Sequence, residues 1–208
     1  MKQWIFLLGR PGCGKSVVYR IASEKLQQKG IKTQRVDDFL TLKKIFDADT
    51  EFKKHIRKDG GFAVTDWSVL DEALVMLNNE LKKMKKPDTV IFVEFARDNY
   101  EKAMKNFDSE ILSESLIFYV YCTYEECYRR NIDRFEKAKK SGHDDHIVPL
   151  HLMETYYRTD DFEKMYLSSP EKLKLLSSAE IIVIDSSITG EETLYPQIEK
   201  VIDEKYGF

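Results

Sequence analysis

Short, mostly apolar or β-branched runs separated by polar turns recur along this chain, at Trp4 to Leu8, Thr33 to Val36, Thr89 to Val93, Leu116 to Tyr121 and Ile181 to Ile184. Runs of this length read as strands, and the segments between them carry apolar positions at helical spacing. Five strands alternating with helices predict a parallel sheet covered on both faces, within one α/β domain spanning residues 1–208.

The helical segments have readable ends. The first is expected to run to about Gln28, where Lys29-Gly30 supplies a stop. Residues Leu42 to Lys58 read as a charged, mostly helical insert ending at Gly60-Gly61, with Thr65 or Asp66 capping a helix through Leu70, Leu74 and Leu77 that closes over Lys82 to Lys86 before Pro87. Beyond the fourth strand, Tyr124 to Lys140 reads as a long basic helix broken at Ser141-Gly142, and a second helical stretch follows from about Pro149 to Tyr157. Residues 40–68 are a candidate acceptor-binding insert and 124–160 a candidate lid. Asp144 or Asp145 reads as a cap of the helix that follows.

Charge and cysteine usage narrow the classes. A net charge of -3 with 33% charged residues spread along the chain argues against nucleic acid or a membrane surface as partner. The apolar N-terminal run stops after Leu8 at a glycine loop, too short for a signal segment or a spanning helix. Three cysteines without metal-ligand spacing, Cys13, Cys122 and Cys127, fit a reducing compartment, so a cytoplasmic protein is expected. The spacing of His143, His146 and His151 matches no familiar zinc motif.

Candidate chemistry begins at Gly9-Arg10-Pro11-Gly12-Cys13-Gly14-Lys15-Ser16, between the first strand and the helix opened by Val17. Glycines let a backbone fold around a polyphosphate with its N–H groups inward, the helix N-terminus adds positive potential, and a lysine reaches the terminal phosphates. Residues 9–17 are therefore candidate nucleotide contacts, Lys15 a catalytic cation and Ser16 a ligand of Mg²⁺. Cys13 reads as a small side chain at a variable loop position.

In such a sheet, ligands bind beyond the carboxyl ends of the strands. Strand two ends in Asp37-Asp38, either of which can accept the proton of an attacking hydroxyl beside Mg²⁺; alternation leaves the choice open, and Asp37 is favoured. Strand three delivers Glu94, a candidate metal ligand through water. Arg97 follows, to grip the acceptor or a phosphate, or to pair with Glu94 or Asp98 and fix the turn. On the basic helix, Arg130 and Arg134 share a face one turn apart and suit a triphosphate, or else form a solvated face with Glu126 and Asp133, as Arg129 does. Strand five ends in Asp185-Ser186-Ser187.

Together, the Gly-x-Pro-Gly-x-Gly-Lys-Ser loop, the acids after strands two and three and the arginine helix after strand four resemble the nucleoside and nucleotide kinase group of P-loop proteins, with adenylylsulfate, gluconate and shikimate kinases as cousins. The segment Val36-Asp37-Asp38-Phe39 is similar to that of uridine and nicotinamide riboside kinases, whose corresponding aspartate is the base. The kinases that this pattern resembles place the loop after strand five beside the nucleotide base, which makes Ser186 to Thr189 candidate base contacts. The resemblance implies a three-layer α/β/α P-loop NTPase fold, sheet order 2-3-1-4-5, a helical lid, and an ATP- and Mg²⁺-dependent phosphotransferase with a small-molecule acceptor. This chain departs from the pattern in the missing aspartate before Glu94, the absence of an arginine trio between Leu40 and Trp67, and serine rather than threonine at Ser16. Those departures leave the acceptor open. A regulatory or hydrolytic NTPase keeps the same loop, without an Asn-Lys-x-Asp motif for guanine; a nucleotide-binding module or a kinase-like toxin is a third class.

Overall fold

The computed structural model describes residues 1–58, 61–141, 148–173, 177–188 and 190–207. Its centre is a five-stranded parallel sheet of β1 (Trp4–Leu8), β2 (Lys32–Asp37), β5 (Thr89–Glu94), β6 (Ser115–Tyr121) and β7 (Glu180–Asp185), ordered β2-β5-β1-β6-β7. Counting only these strands in chain order, that is 2-3-1-4-5. The other two strands, β3 (His55–Lys58) and β4 (Gly61–Val64), form a separate antiparallel hairpin.

Alternation along β1 explains the layers. Ile5 and Leu7 join a core with Val18 and Ile21 of α1 (Lys15–Gln28) and Ile198 and Ile202 of α10 (Leu194–Tyr206). Trp4, Phe6 and Leu8 face the opposite core, built by Leu74, Leu77 and Leu81 of α3 (Val69–Met84) with α4 (Tyr100–Met104), α5 (Ser109–Ser113), α8 (Asp161–Ser168) and α9 (Pro170–Leu173). Every residue of β1 and β6 is buried, as a central parallel strand covered on both faces requires. β2 is the half-exposed edge, which is why its sequence is polar.

Three expectations are corrected. The insert is helical only in α2 (Phe39–Ala48); the chain then enters the β3–β4 hairpin, where Thr65 N donates to Lys54 O, so residues 55–58 are strand. The α3 N-cap position is Ser68, and Asp66 instead closes the preceding turn by accepting from Ser68 N at 3.0 Å. The second helical stretch divides into α7 (Leu150–Glu154) and a 3₁₀ turn at Tyr156–Arg158, after the long α6 (Tyr124–Ser141). His143, Asp144, Asp145, His146 and Thr189 lie outside the described residues.

Candidate active site

The phosphate loop is held at its base by its own glycines. Gly9 and Gly12 have φ of +139° and +85°, and a Cβ on either would stand 2.5 Å from a carbonyl oxygen, that of Val120 or Cys127 respectively. Gly9 N donates to the Tyr100 hydroxyl at 2.8 Å, tying the loop to α4. Cys13 packs into the core, and burial raises its thiol above the usual range, so the side chain is structural.

Inside the loop, Lys15 Nζ donates to the carbonyl oxygens of Gly9 at 2.8 Å and Arg10 at 3.0 Å, and lies 3.9 Å from Glu94 Oε1. The backbone delivers that carboxylate: Leu7, Glu94 and Asp37 are register partners across β1, β5 and β2, so their Cα atoms line up at the carboxyl edge beside the loop. Arg35, two residues before Asp37 on the same strand face, bonds Glu94 Oε2 and donates to Ser16 Oγ at 3.3 Å through the same nitrogen, Nη2. Arg35 was absent from the sequence-derived site, although the two-residue strand period carried the signal.

The adjacent aspartates separate by environment. Asp37 is half-buried, accepts from Phe39 N at 3.1 Å, and has its carboxyl raised by burial first and by Asp38 next. Asp38 is buried and accepts from Arg97 Nη2 at 2.6 Å; Arg97 also donates to the carbonyl oxygens of Leu70 and Ala96. The partner of Arg97 is thus Asp38 and neither Glu94 nor Asp98: a guanidinium with only 6% exposure takes the carboxylate buried beside it.

Arg10 departs from the nucleotide-contact expectation in its side chain. It turns out of the loop to Tyr157 O (2.9 Å), Arg158 O (3.3 Å) and Glu163 Oε2 (2.6 Å), a buried cation fastening the loop to the turn before α8. That turn is itself pinned by Asp160, which accepts from Tyr119 Oη at 3.1 Å and caps α8 through Glu163 N, while Asp161 accepts from Tyr100 N and Glu101 N.

On the other side of the loop, Arg130 and Ser186 stand against Gly14, where a Cβ would meet Ser186 Oγ at 3.7 Å and Arg130 Nη1 at 3.8 Å. Arg130 bonds Glu126 Oε1 at 2.7 Å and Ser186 O at 2.9 Å. The buried Ser186 hydroxyl is committed to Cys13 O and Tyr121 O, which makes it a support of the loop. Arg134 is exposed and makes no hydrogen bond or ion pair among the described residues; Arg129 takes the solvated-face arrangement with Glu126 and Asp133. Trp67, before α3, stacks on Tyr156 with ring centroids 4.8 Å apart and planes at 21°. A cleft of about 610 Å³ near Gln27, Lys32 and Pro87 lies at the opposite ends of β2 and β5, without an acid in its lining, and is remote from this chemistry.

Whether these side chains suit a divalent cation can be judged from what they hold. Ser16 Oγ and the Glu94 carboxylate converge on one positive group, the Arg35 guanidinium, and Asp37 is the register neighbour of Glu94; two hard oxygen donors focused on a cation, with a second acid beside them, fit Mg²⁺. Among the described residues no three His, Cys, Asp or Glu side chains gather into a group that could hold a metal ion by themselves. No described helix is long and apolar enough to cross a membrane.

A family model described as AAA domain matches residues 5–149. No curated protein matches the chain. Among solved structures it is similar to a sugar kinase from Janibacter sp. HTCC2649, with 12% identity, coverage of 98% of this chain and 95% of that one, and a TM-score of 0.53. It is also similar to the APS kinase CysC of Mycobacterium tuberculosis in complex with AMPPNP and APS (14%, 97% and 95%, 0.52). A gluconokinase from Sinorhizobium meliloti 1021 is a third (11%, 99% and 96%, 0.51). At such identities the likeness is one of fold, the five-stranded parallel sheet with flanking helices of P-loop kinases.

Proposed function

Because the chain belongs to the AAA domain family, and its fold is that of P-loop kinases, we propose that it is an ATP-dependent phosphotransferase acting on a small-molecule acceptor such as a nucleoside, a nucleotide or a related metabolite. The observation that carries the reading is the alignment of Asp37 and Glu94 beside Lys15 and Ser16, an acid of raised pKa next to a phosphate loop. Binding alone needs no base there.

Residues 9–17 cradle the phosphates through backbone N–H groups, Lys15 leaves its carbonyl partners for the terminal phosphates, and Asp37 takes the proton from the attacking hydroxyl. Ser16, with Glu94 and Asp37 through water, would hold Mg²⁺, which when bound neutralises charge on the phosphates. Asp38 and Arg97 line the acceptor side, and residues 40–68 form the acceptor-binding insert. Residues 124–160 act as the lid, and the Trp67–Tyr156 stack brings that segment against the insert. Arg130 beside Gly14, and Arg134 on closure, spread the charge of the transferring phosphoryl group.

The test is ADP release from Mg-ATP with and without a panel of nucleosides, nucleoside monophosphates, sugars, vitamin precursors and adenylylsulfate, with Lys15→Ala run in parallel. Stimulation by one acceptor class, lost in the variant, supports the kinase. Lys15-dependent release that no acceptor changes would replace it by a hydrolytic or regulatory NTPase.

A further inference from the structure

Glu94 carries one negative charge and faces two cations. Arg35 Nη2 bonds its Oε2, and Lys15 Nζ lies 3.9 Å from its Oε1. The same Arg35 nitrogen donates to Ser16 Oγ at 3.3 Å, so the guanidinium bridges the two residues best suited to ligate a divalent cation. Its seat is built: the guanidinium carbon lies 5.2 Å from the centroid of the Tyr19 ring, one helical turn beyond Ser16 on α1, and the period of β2 aims Arg35 at that face.

We propose that Arg35 is a built-in competitor for the divalent cation, a residue that makes metal entry depend on the nucleotide. The inference rests on the kinase reading for the identity of the ligand and goes beyond it in assigning Arg35. Lys15 and Arg35 balance Asp37 and Glu94, so the set is neutral as it stands. A free dication must displace Arg35 from Glu94 and leave two protein cations around an excess of positive charge. A dication arriving with a polyphosphate brings the anions that release both: Lys15 turns to the phosphates, and Arg35 retires along the Tyr19 ring. The site thereby discriminates against metal alone and accepts the metal–nucleotide complex.

The experiment is Mn²⁺ titration of the full chain, followed by the electron paramagnetic resonance signal of free Mn²⁺, with and without ADP. Without nucleotide, Arg35→Gln should bind Mn²⁺ about five-fold tighter than wild type, the scale of one partly exposed ion pair. ADP should narrow the gap, and Glu94→Gln in the Arg35→Gln background should abolish it. Arg35→Met keeps the stem against Tyr19 and should repeat the gain if Gln disturbs the strand edge, while Arg35→Lys, still cationic, should remain near wild type. Equal or weaker Mn²⁺ binding in the Gln and Met variants, or a full gain in Lys, would overturn the assignment. The kinase reading is judged separately by acceptor-stimulated ADP release from the wild-type chain, so failure of either is recognisable.

Discussion

Arg97 Nη2 and Asp38 Oδ2 lie 2.6 Å apart in a buried ion pair that joins the turn after β5 to the end of β2. Removing one member leaves the other charge uncompensated, so Arg97→Ala is expected to cost about 3 kcal/mol. An Asp38→Leu/Arg97→Leu double variant should be more stable than either single one. Urea unfolding of the set checks this, and singles that match wild type would remove the pair from the scaffold.

Asp37 and Asp38 should separate in kinetics. Asp37→Asn is expected to lower kcat about 100-fold or more with little change in nucleotide affinity, the signature of a lost base. Asp38→Asn should act mainly through stability and the KM of the acceptor. Since burial raises the Asp37 carboxyl in the ligand-free protein, the acid limb of the kcat/KM profile should lie above the ordinary aspartate value, with kcat/KM rising as pH rises through it. A pH–rate profile with no acid limb there would count against Asp37.

Arg130 stands beside Gly14 and Arg134 is exposed one turn further along α6. Arg130→Ala should therefore weaken nucleotide binding and turnover together, whereas Arg134→Ala should slow phosphoryl transfer alone. Nucleotide titrations alongside single-turnover rates distinguish the two, and wild-type rates in Arg134→Ala would return it to a solvated face.

Gly12 cannot carry a side chain. At φ +85° with Cys127 O 2.5 Å from an added Cβ, Gly12→Ala combines backbone strain with a backbone clash and should cost at least about 2 kcal/mol. Gly14 is also left-handed, at φ +99°, but its nearest neighbours are beyond 3.6 Å, so Gly14→Ala should cost about 1–2 kcal/mol, the strain alone. Thermal melts of both would test the ordering.

Asp160 has its carboxyl raised to about 7, chiefly by burial. The folded state therefore retains a proton that the unfolded chain gives up near the ordinary value of 3.8. Stability should consequently fall as pH rises between those values. Asp160→Asn keeps an acceptor for Glu163 N and lets Tyr119 Oη accept from the amide, so it should flatten this dependence. Unfolding free energies at pH 5 and pH 8 for both proteins are the measurement.

The contiguous sequence determined what depends on neighbours in the chain: the loop of residues 9–16, β1 and its alternating faces, the fold class, and acids at strand ends. Such features are legible because a few adjacent dihedrals and one side-chain period decide them. The pairing of β3 with β4 was not, because these strands satisfy each other's backbone groups and the local composition reads as charged helix. Side-chain partnership was decided by tertiary structure. Arg10 is 153 residues from Glu163, Arg97 is 59 from Asp38 and Arg35 is 59 from Glu94, and a cation takes whichever carboxylate packing brings within reach. The sequence could nominate these charges, but only the register of β2 on β5 and the burial around each guanidinium selected their pairs.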